Sequence, residues 1–307
     1  MAMKSYKGFD KKLKCRDFQY EIGKEYEMDG EIKVCSRGFH ACESPFDVFD
    51  HYTMIDSRFC EVEQDGNISK EDRGTKICSS KIKIKAELKL ADMINLGVEW
   101  LKEITSPEKI KTSIKDNSSG YGAQIGSSGN NAKIGSSGYG AQIGSSGYGA
   151  QIGSSGNNAK IGSSGNNAKI GSSGYGAQIG SSGNGAQIGS SGNGAQIGSS
   201  GYGAQIGSSG YGAQIGSSGN NAKIGSSGYG AQIDSTGEDC VIMCAGINSV
   251  AKASKGSWIT LSEWSYSDKK QRYIPVCVKT EFVDGKKIKA DTYYSLKGGV
   301  FVESVNN

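Results

Sequence analysis

The chain has 307 residues, 47 of them glycine and only 3 proline, and its 35 basic and 31 acidic groups give a formal charge of +4. A membrane-spanning helix needs an apolar run of roughly 18 residues or more, and no run approaches that, so such a helix is excluded and no membrane partner is expected. The excess charge belongs to one region: Lys133, Lys160, Lys169 and Lys223 lie between Asn117 and Ile233, where no acid occurs, and the flanks balance.

The start, Met1-Ala2-Met3-Lys4-Ser5-Tyr6-Lys7, lacks an apolar segment, so no secretion leader is expected. The eight cysteines then read as reduced thiols of a cytoplasmic protein. Residues 1–116 read as a small α+β domain. Tyr6 to Phe9, Phe18 to Tyr20, Lys33 to Cys35 and Gly38 to Cys42 look extended. Ser44-Pro45 reads as a helix start with Ser44 capping, and Phe46, Val48 and Phe49 form its inner face. Phe59 to Glu63 and Lys81 to Ala86 alternate as strands. From Ala91 to Ile104, apolar residues recur near helical spacing, and Ser106-Pro107 ends that helix. Cys35, His40, Cys42 and Cys60 match no paired zinc spacing, so no metal is expected and the thiols read as structural.

From Asn117 to Ile233 a nine-residue unit, [N/G]SSG-[Y/N]-[G/N]-A-[Q/K]-I, repeats thirteen times. Ala-x-Ile is the period-2 pattern of a strand with one buried face, and Gly-Ser-Ser-Gly is turn chemistry with glycine free to take positive φ. One Ile gains roughly 1.5–3 kcal/mol on burial, less than the entropy cost of fixing a whole unit, so the units must stack. The fold class expected is mainly β, a parallel β-solenoid. Tyr121, Tyr148, Tyr175, Tyr202 and Tyr229 recur at every third unit, which favours a three-sided coil of three units over a two-sided coil of two. A calcium roll is excluded because no carboxylate follows the glycines, and a phosphate loop because no Lys-Ser/Thr follows them. Four lysines over thirteen units are a thin basic lining rather than a nucleic-acid patch, so nucleic acid is only weakly supported as a partner.

The array is expected to decay through Asp234-Ser235-Thr236-Gly237 to about Ala251, with Cys240 and Cys244 buried. Residues 252–307 read as a β-meander cap, with strands at Ser257–Trp264, Tyr273–Val283, Ile288–Leu296 and Val300–Glu303. Asp284-Gly285 and Gly298-Gly299 read as hairpin turns. Trp258, Trp264, Tyr266, Tyr273, Tyr293 and Tyr294 read as its aromatic core.

Three resemblances follow. The segments Tyr6-Lys7-Gly8-Phe9-Asp10, Gly38-Phe39-His40-Ala41-Cys42-Glu43-Ser44-Pro45 and Gly256-Ser257-Trp258-Ile259-Thr260-Leu261, with the repeats, resemble uncharacterised phage and prophage proteins of Gram-positive bacteria. The order Tyr6-Lys7-Gly8, Gly38-Phe39-His40, helix, then Glu61 or Glu63 is loosely similar to ADP-ribosyltransferase-like domains. That likeness implies NAD as substrate and a site of His40, Glu61 and Glu63, although the early Arg or His of such domains is missing at Tyr6-Lys7. The Ala-x-Ile-Gly-Ser-Ser-Gly corner is similar to the head repeats of trimeric bacterial adhesins.

The expectation is a cofactor-free interaction protein whose rod presents those five tyrosines and four lysines to a host protein or complex, neutralising a host defence component. An N-terminal transferase and a virion fibre or adhesin are the alternatives. Flat polar ladders predict a homo-oligomer.

Overall fold

The structure is a computed structural model that describes residues 2–54, 56–71, 74–104, 117–118 and 120–304. Alternating stretches near the start form β1 (Met3–Phe9), β2 (Lys14–Cys15), β3 (Phe18–Gln19), β4 (Glu25–Glu27), β5 (Phe39–Cys42), β6 (Arg58–Lys70) and β7 (Lys76–Leu88), followed by α1 (Leu90–Ile104). β7 pairs with β4 and β5 on one edge and β6 on the other, and β1 joins β5 to β6, so the sheet closes into a ring. Its interior holds Phe9, Phe39, Val62 and Ile84. A buried polar thread crosses it: Ser5 Oγ donates to Gln64 Oε1 at 2.8 Å, and Gln64 Nε2 donates to the Phe39 carbonyl at 2.7 Å.

Two local expectations are corrected. Lys33 to Cys35 is a tight turn, closed by a Lys33–Arg37 bridge with Cys35 at φ 64°, because no described strand lies beside it to pair. After Ser44-Pro45 the chain makes a short 3-10 helix, Phe46–Asp50, and no side chain caps it; Ser44 is fully buried instead. Phe46, Val48 and Phe49 face inward as expected. The expected helix end at Ser106-Pro107 lies outside the described residues.

The array is a parallel β-solenoid of about eight turns over residues 124–261. After β8 (Asn117–Ser118), thirteen short strands follow, β9 to β21, one in each unit from Gln124–Ser127 to Gln232–Ser235. Each strand pairs in register with the strand two units on, as in Ile143↔Ile161 and Ile152↔Ile170. The coil is therefore two-sided, with alternate units feeding two opposed sheets. The three-sided expectation fails because Tyr and Asn both satisfy the corner. Asn157 Oδ1 accepts the Tyr175 amide one coil later at 2.9 Å, while Tyr121 stacks on Tyr139 with ring centroids 5.2 Å apart. Neither residue reports the coil length.

Alanine and isoleucine line the interior, and the alternation runs one step further than the sequence suggested. The glycine after Ile faces out and the next serine faces in, so Ser163, Ser181 and Ser199 are fully buried. Positive φ also sits elsewhere than expected, at the residue before Ala: Gly122, Asn131, Gly140, Gly149 and Asn158 take φ of 55–66°. That explains why the position alternates only between Gly and Asn, the residues that tolerate the left-handed region. The last Gly of Ser-Ser-Gly is needed for room. A Cβ on Gly165 would stand 2.0 Å from the Gly147 carbonyl oxygen in the coil before.

At the C-terminal end β22 (Val241–Cys244) and β23 (Val250–Ala253) extend the two sheets. β24 (Trp258–Ser267) joins in parallel and then pairs antiparallel with β25 (Arg272–Phe282). On the other sheet β26 (Tyr294–Lys297) joins β23 antiparallel and then pairs antiparallel with β27 (Val300–Glu303). Gly298 and Gly299, both at positive φ, make the expected hairpin, and the Glu263 carboxylate accepts both their amides at 2.8 and 2.9 Å. Those amides, Gly299 first, hold Glu263 below the usual carboxylate value. Asp284-Gly285 turns without linking two paired strands; Asp284 Oδ1 accepts the amides of Lys286 and Ile288. The stretch expected as a strand from Ile288 is therefore a loop until Tyr294. Cys240 and Cys244 are buried as expected.

The two kinds of glycine predict opposite effects. Gly165→Ala should destabilise the rod by about 1–3 kcal/mol or more, since backbone blocks the added methyl. Gly189→Ala, where a Cβ meets nothing within 4 Å, should be neutral or add about 0.4–1 kcal/mol. Thermal melts followed by circular dichroism distinguish the two.

Candidate functional site

The two-sided coil divides the rod's candidate residues. Tyr121, Tyr175 and Tyr229 line one edge, in corners that lead into the sheet of Gln142 and Gln178, whereas Tyr148 and Tyr202 line the opposite edge. All five are exposed, yet several are used within the rod: Tyr148 and Tyr229 hydroxyls accept from Asn167 and Asn248 at 2.8 and 2.7 Å. Lys133, Lys169 and Lys223 lie on one sheet and Lys160 on the other, where it is half-buried.

The sheets differ in exposure. On the sheet of Lys160, Gly144, Gly162, Gly180, Gly198 and Gly216 are buried. On the sheet of Lys169, Gly153, Gly171, Gly189 and Gly207 are exposed and form the floor of a trough walled by the Gln/Lys row. None of those floor glycines takes positive φ, and a Cβ on any of them would meet nothing within 4 Å. Among the described residues, no carboxylate lines the trough.

The polar repeat stops at the C-terminal end of this exposed sheet. Val241, Trp258 and Phe282 stand in cross-strand register where the repeats carry Gln or Lys, and Met243 replaces the floor glycine. Met243 and Trp258 are 54 and 48% exposed, and the Trp258 and Phe282 rings lie 5.1 Å apart. This corrects the expectation of an aromatic core: Tyr293 and Tyr294 are buried, but Trp258, Tyr266 and Tyr273 are exposed. The register is the cause: Trp258 pairs with outward Val241 and Ile259 with inward Ile242, so Trp258 takes the outward position, and the link from Val241, a single residue short of two full units, leaves that phase unchanged.

In the N-terminal domain the three transferase-like candidates do not converge on one cavity. Glu61 pairs with Lys4 at 2.8 Å and Glu63 with Lys85 at 2.9 Å, both on β6. Neither lines the cavity of about 700 Å³ that His40 borders. His40 holds the adjacent turn: its Nε2 accepts the Cys35 amide at 3.0 Å. Lys7, which the sequence reading passed over, points into the ring interior and borders the same cavity, only 4% exposed. Its ammonium donates to the His40 carbonyl at 2.8 Å and lies 3.6 Å from Cys15 Sγ, which also accepts the Tyr52 hydroxyl at 3.0 Å. The Phe9 and Tyr20 rings stand 5.5 Å from Lys7 Nζ. Burial draws Lys7 below its ordinary value. Gly8 makes room for this cluster, because the Tyr52 ring lies where its Cβ would be. Lys7 shares a strand face with Ser5 and Phe9, but the alternation did not single it out, because Tyr6 and Gly8 on the other face are buried as well.

Residues 3–96 match a family model described as a domain of unknown function (DUF7666). No curated protein and no solved structure matches the chain. The matched segment contains every residue bordering the cavity and none of the repeats.

Two measurements check this geometry. Burial, then the charges of Lys7 and Lys76, holds His40 below 6.5; burial and Lys76 do the same for His51. The unfolded chain therefore takes up protons that the folded chain refuses, so this contribution to stability is full above pH 6.5 and shrinks as pH falls below it. His40→Gln should flatten that part of the decline in melting temperature between pH 7.5 and 5. Thiol alkylation should mark exposed Cys35 in the native protein, whereas Cys60 and Cys244, pushed by burial to about 12, should react only on unfolding.

Proposed function

We propose that this chain is a non-enzymatic interaction protein of phage or prophage origin that docks a host protein along the exposed sheet of its rod. One observation carries the reading: four large apolar side chains, Val241, Met243, Trp258 and Phe282, lie exposed together where the polar repeat ends. Trp and other aromatic anchors supply most of the energy at protein interfaces. The trough beside them adds reach. Its glycine floor lets a partner's backbone approach closely, and Lys133, Lys169 and Lys223 favour an acidic surface. The partner therefore has a flat face, apolar at one end and acidic along the rest. Occupying that face of a host defence component would block it, the role that the resemblance to phage proteins suggests.

The test compares affinity capture from host lysate by the full chain and by two double variants, Trp258→Ser/Phe282→Ser and Gly189→Val/Gly207→Val, with the captured protein identified by mass spectrometry. The first variant should lose the partner and the second should weaken it at least tenfold, both with unchanged circular dichroism. Equal capture by all three proteins would overturn the reading. So would light scattering in which the native chain is a dimer and the Trp258→Ser/Phe282→Ser variant a monomer, since a second copy would then cover the patch.

A further inference from the structure

We propose that the cavity beside Lys7 binds a small phosphate monoester that carries a flat ring. The first ground is a charge without a counter-charge. Lys7 is buried in the ring of strands, and among the described residues its partners are a carbonyl oxygen and a thiol, with no carboxylate. An isolated buried cation is costly, and the cost falls when an anion enters. The second ground is the cavity's charge balance. Among the described residues, Lys7, Arg16 and Lys76 border it against the single carboxylate of Asp17, an excess of two positive charges when Lys7 is protonated. A phosphate monoester carries about −1.5 to −2 at neutral pH and matches that excess better than a carboxylate does. Arg16 and Lys76 also press on His40, which places their charges near the same wall as Lys7.

The third ground is shape. About 700 Å³ is the size of a small-molecule site. Phe18, Tyr20, Phe39 and Tyr52 border it, and Phe18 is 45% exposed. Phe18 and Tyr20 already meet edge to face at 4.7 Å, which leaves ring surface for a flat ligand. Phosphate against the cations and ring against the aromatics would bury both ends of one molecule.

The experiment uses the full chain and three probes at constant ionic strength: adenosine monophosphate, inorganic phosphate and adenosine, read by melting temperature and by calorimetry. Adenosine monophosphate should raise the melting temperature and bind at least tenfold more tightly than inorganic phosphate, and adenosine should do neither. Lys7→Met keeps the stem and removes the charge. It should raise the melting temperature of the ligand-free protein while weakening adenosine monophosphate at least tenfold, a pair of effects that a merely structural lysine would not give. Arg16→Gln/Lys76→Gln, at less buried positions, should weaken the same probe several-fold and carries the test if Lys7→Met fails to fold. No shift with adenosine monophosphate, binding equal to that of adenosine, or affinity unchanged in both variants would overturn the proposal.

Discussion

The rod depends on one close approach, the carbonyl oxygen of a corner glycine set against the Cα of the glycine one coil later. Gly147 to Gly165 and Gly165 to Gly183 repeat it, each leaving a would-be Cβ 2.0–2.1 Å from that oxygen. Only this contact lets the corners descend at the same spacing as the strands, about 4.8 Å per coil, so that every strand keeps its register with the next. Three other positions follow from it. The residue before Ala must turn through positive φ to re-enter the sheet, and Ala and Ile must fill a narrow interior. The outward Gln/Lys, the floor glycine and the Tyr/Asn corner remain free of these demands, and variation in the repeat is confined to these three, the floor position changing only to Asn117 in the first unit, and to the Gly/Asn choice.

What the sequence revealed follows from the same division. Period-2 alternation exposed the Ile and Ala ladders, because burial on one face leaves that mark in any single unit. The coil length was hidden, since it is a relation between units, and the corner is satisfied equally by an Asn amide bond and a Tyr stack. The serine ladder was hidden because Gly-Ser resembles a turn, although Gly is extended here and Ser continues the strand. In the N-terminal domain, α1 and parts of β6 and β7 were legible from periodicity, and β1 and β5 as short extended stretches, whereas β6 and β7 run further than the alternation marked. The cavity was not, because it is assembled from β1, β5 and the segments around Cys15 and Tyr52, which no local pattern links. His40 borders that cavity, and its ring nitrogen is engaged by a turn shortly before it in the chain, a contact that spacing alone does not disclose.

The end of the rod shows how closing a sheet and creating a surface become one problem. A solenoid leaves a bare strand edge that invites further pairing. Here each sheet is finished by an antiparallel hairpin, and Glu263, by accepting two amides of the Gly298-Gly299 turn, ties the hairpins together. The strand that enters the hairpin keeps the phase of its parallel neighbour, which sets Trp258 outward beside Val241 and Met243. The covering of the other sheet's end is apolar on its inner side and includes buried Tyr294 and Leu296. The two sheet ends thus differ, and the apolar patch lies on the sheet whose glycine floor is open.

The N-terminal domain reverses the logic of the rod. In the rod nearly every buried position is apolar or small, and charge is kept outside. In the N-terminal domain a lysine lies inside a closed ring of strands, with aromatic faces about it and no acid among its described partners. A domain of this size has a net stability of roughly 5–15 kcal/mol, and desolvating a cation draws on a large part of that. A leucine or methionine would fill the same space at lower cost, so packing does not account for Lys7. Ion pairing within the chain does not account for it either, as its described partners are a carbonyl and a thiol. Burial lowers the Lys7 pKa, so losing the proton relieves part of the cost, and an anion entering the cavity, which Arg16 and Lys76 border against a single described carboxylate, would favour the charged form.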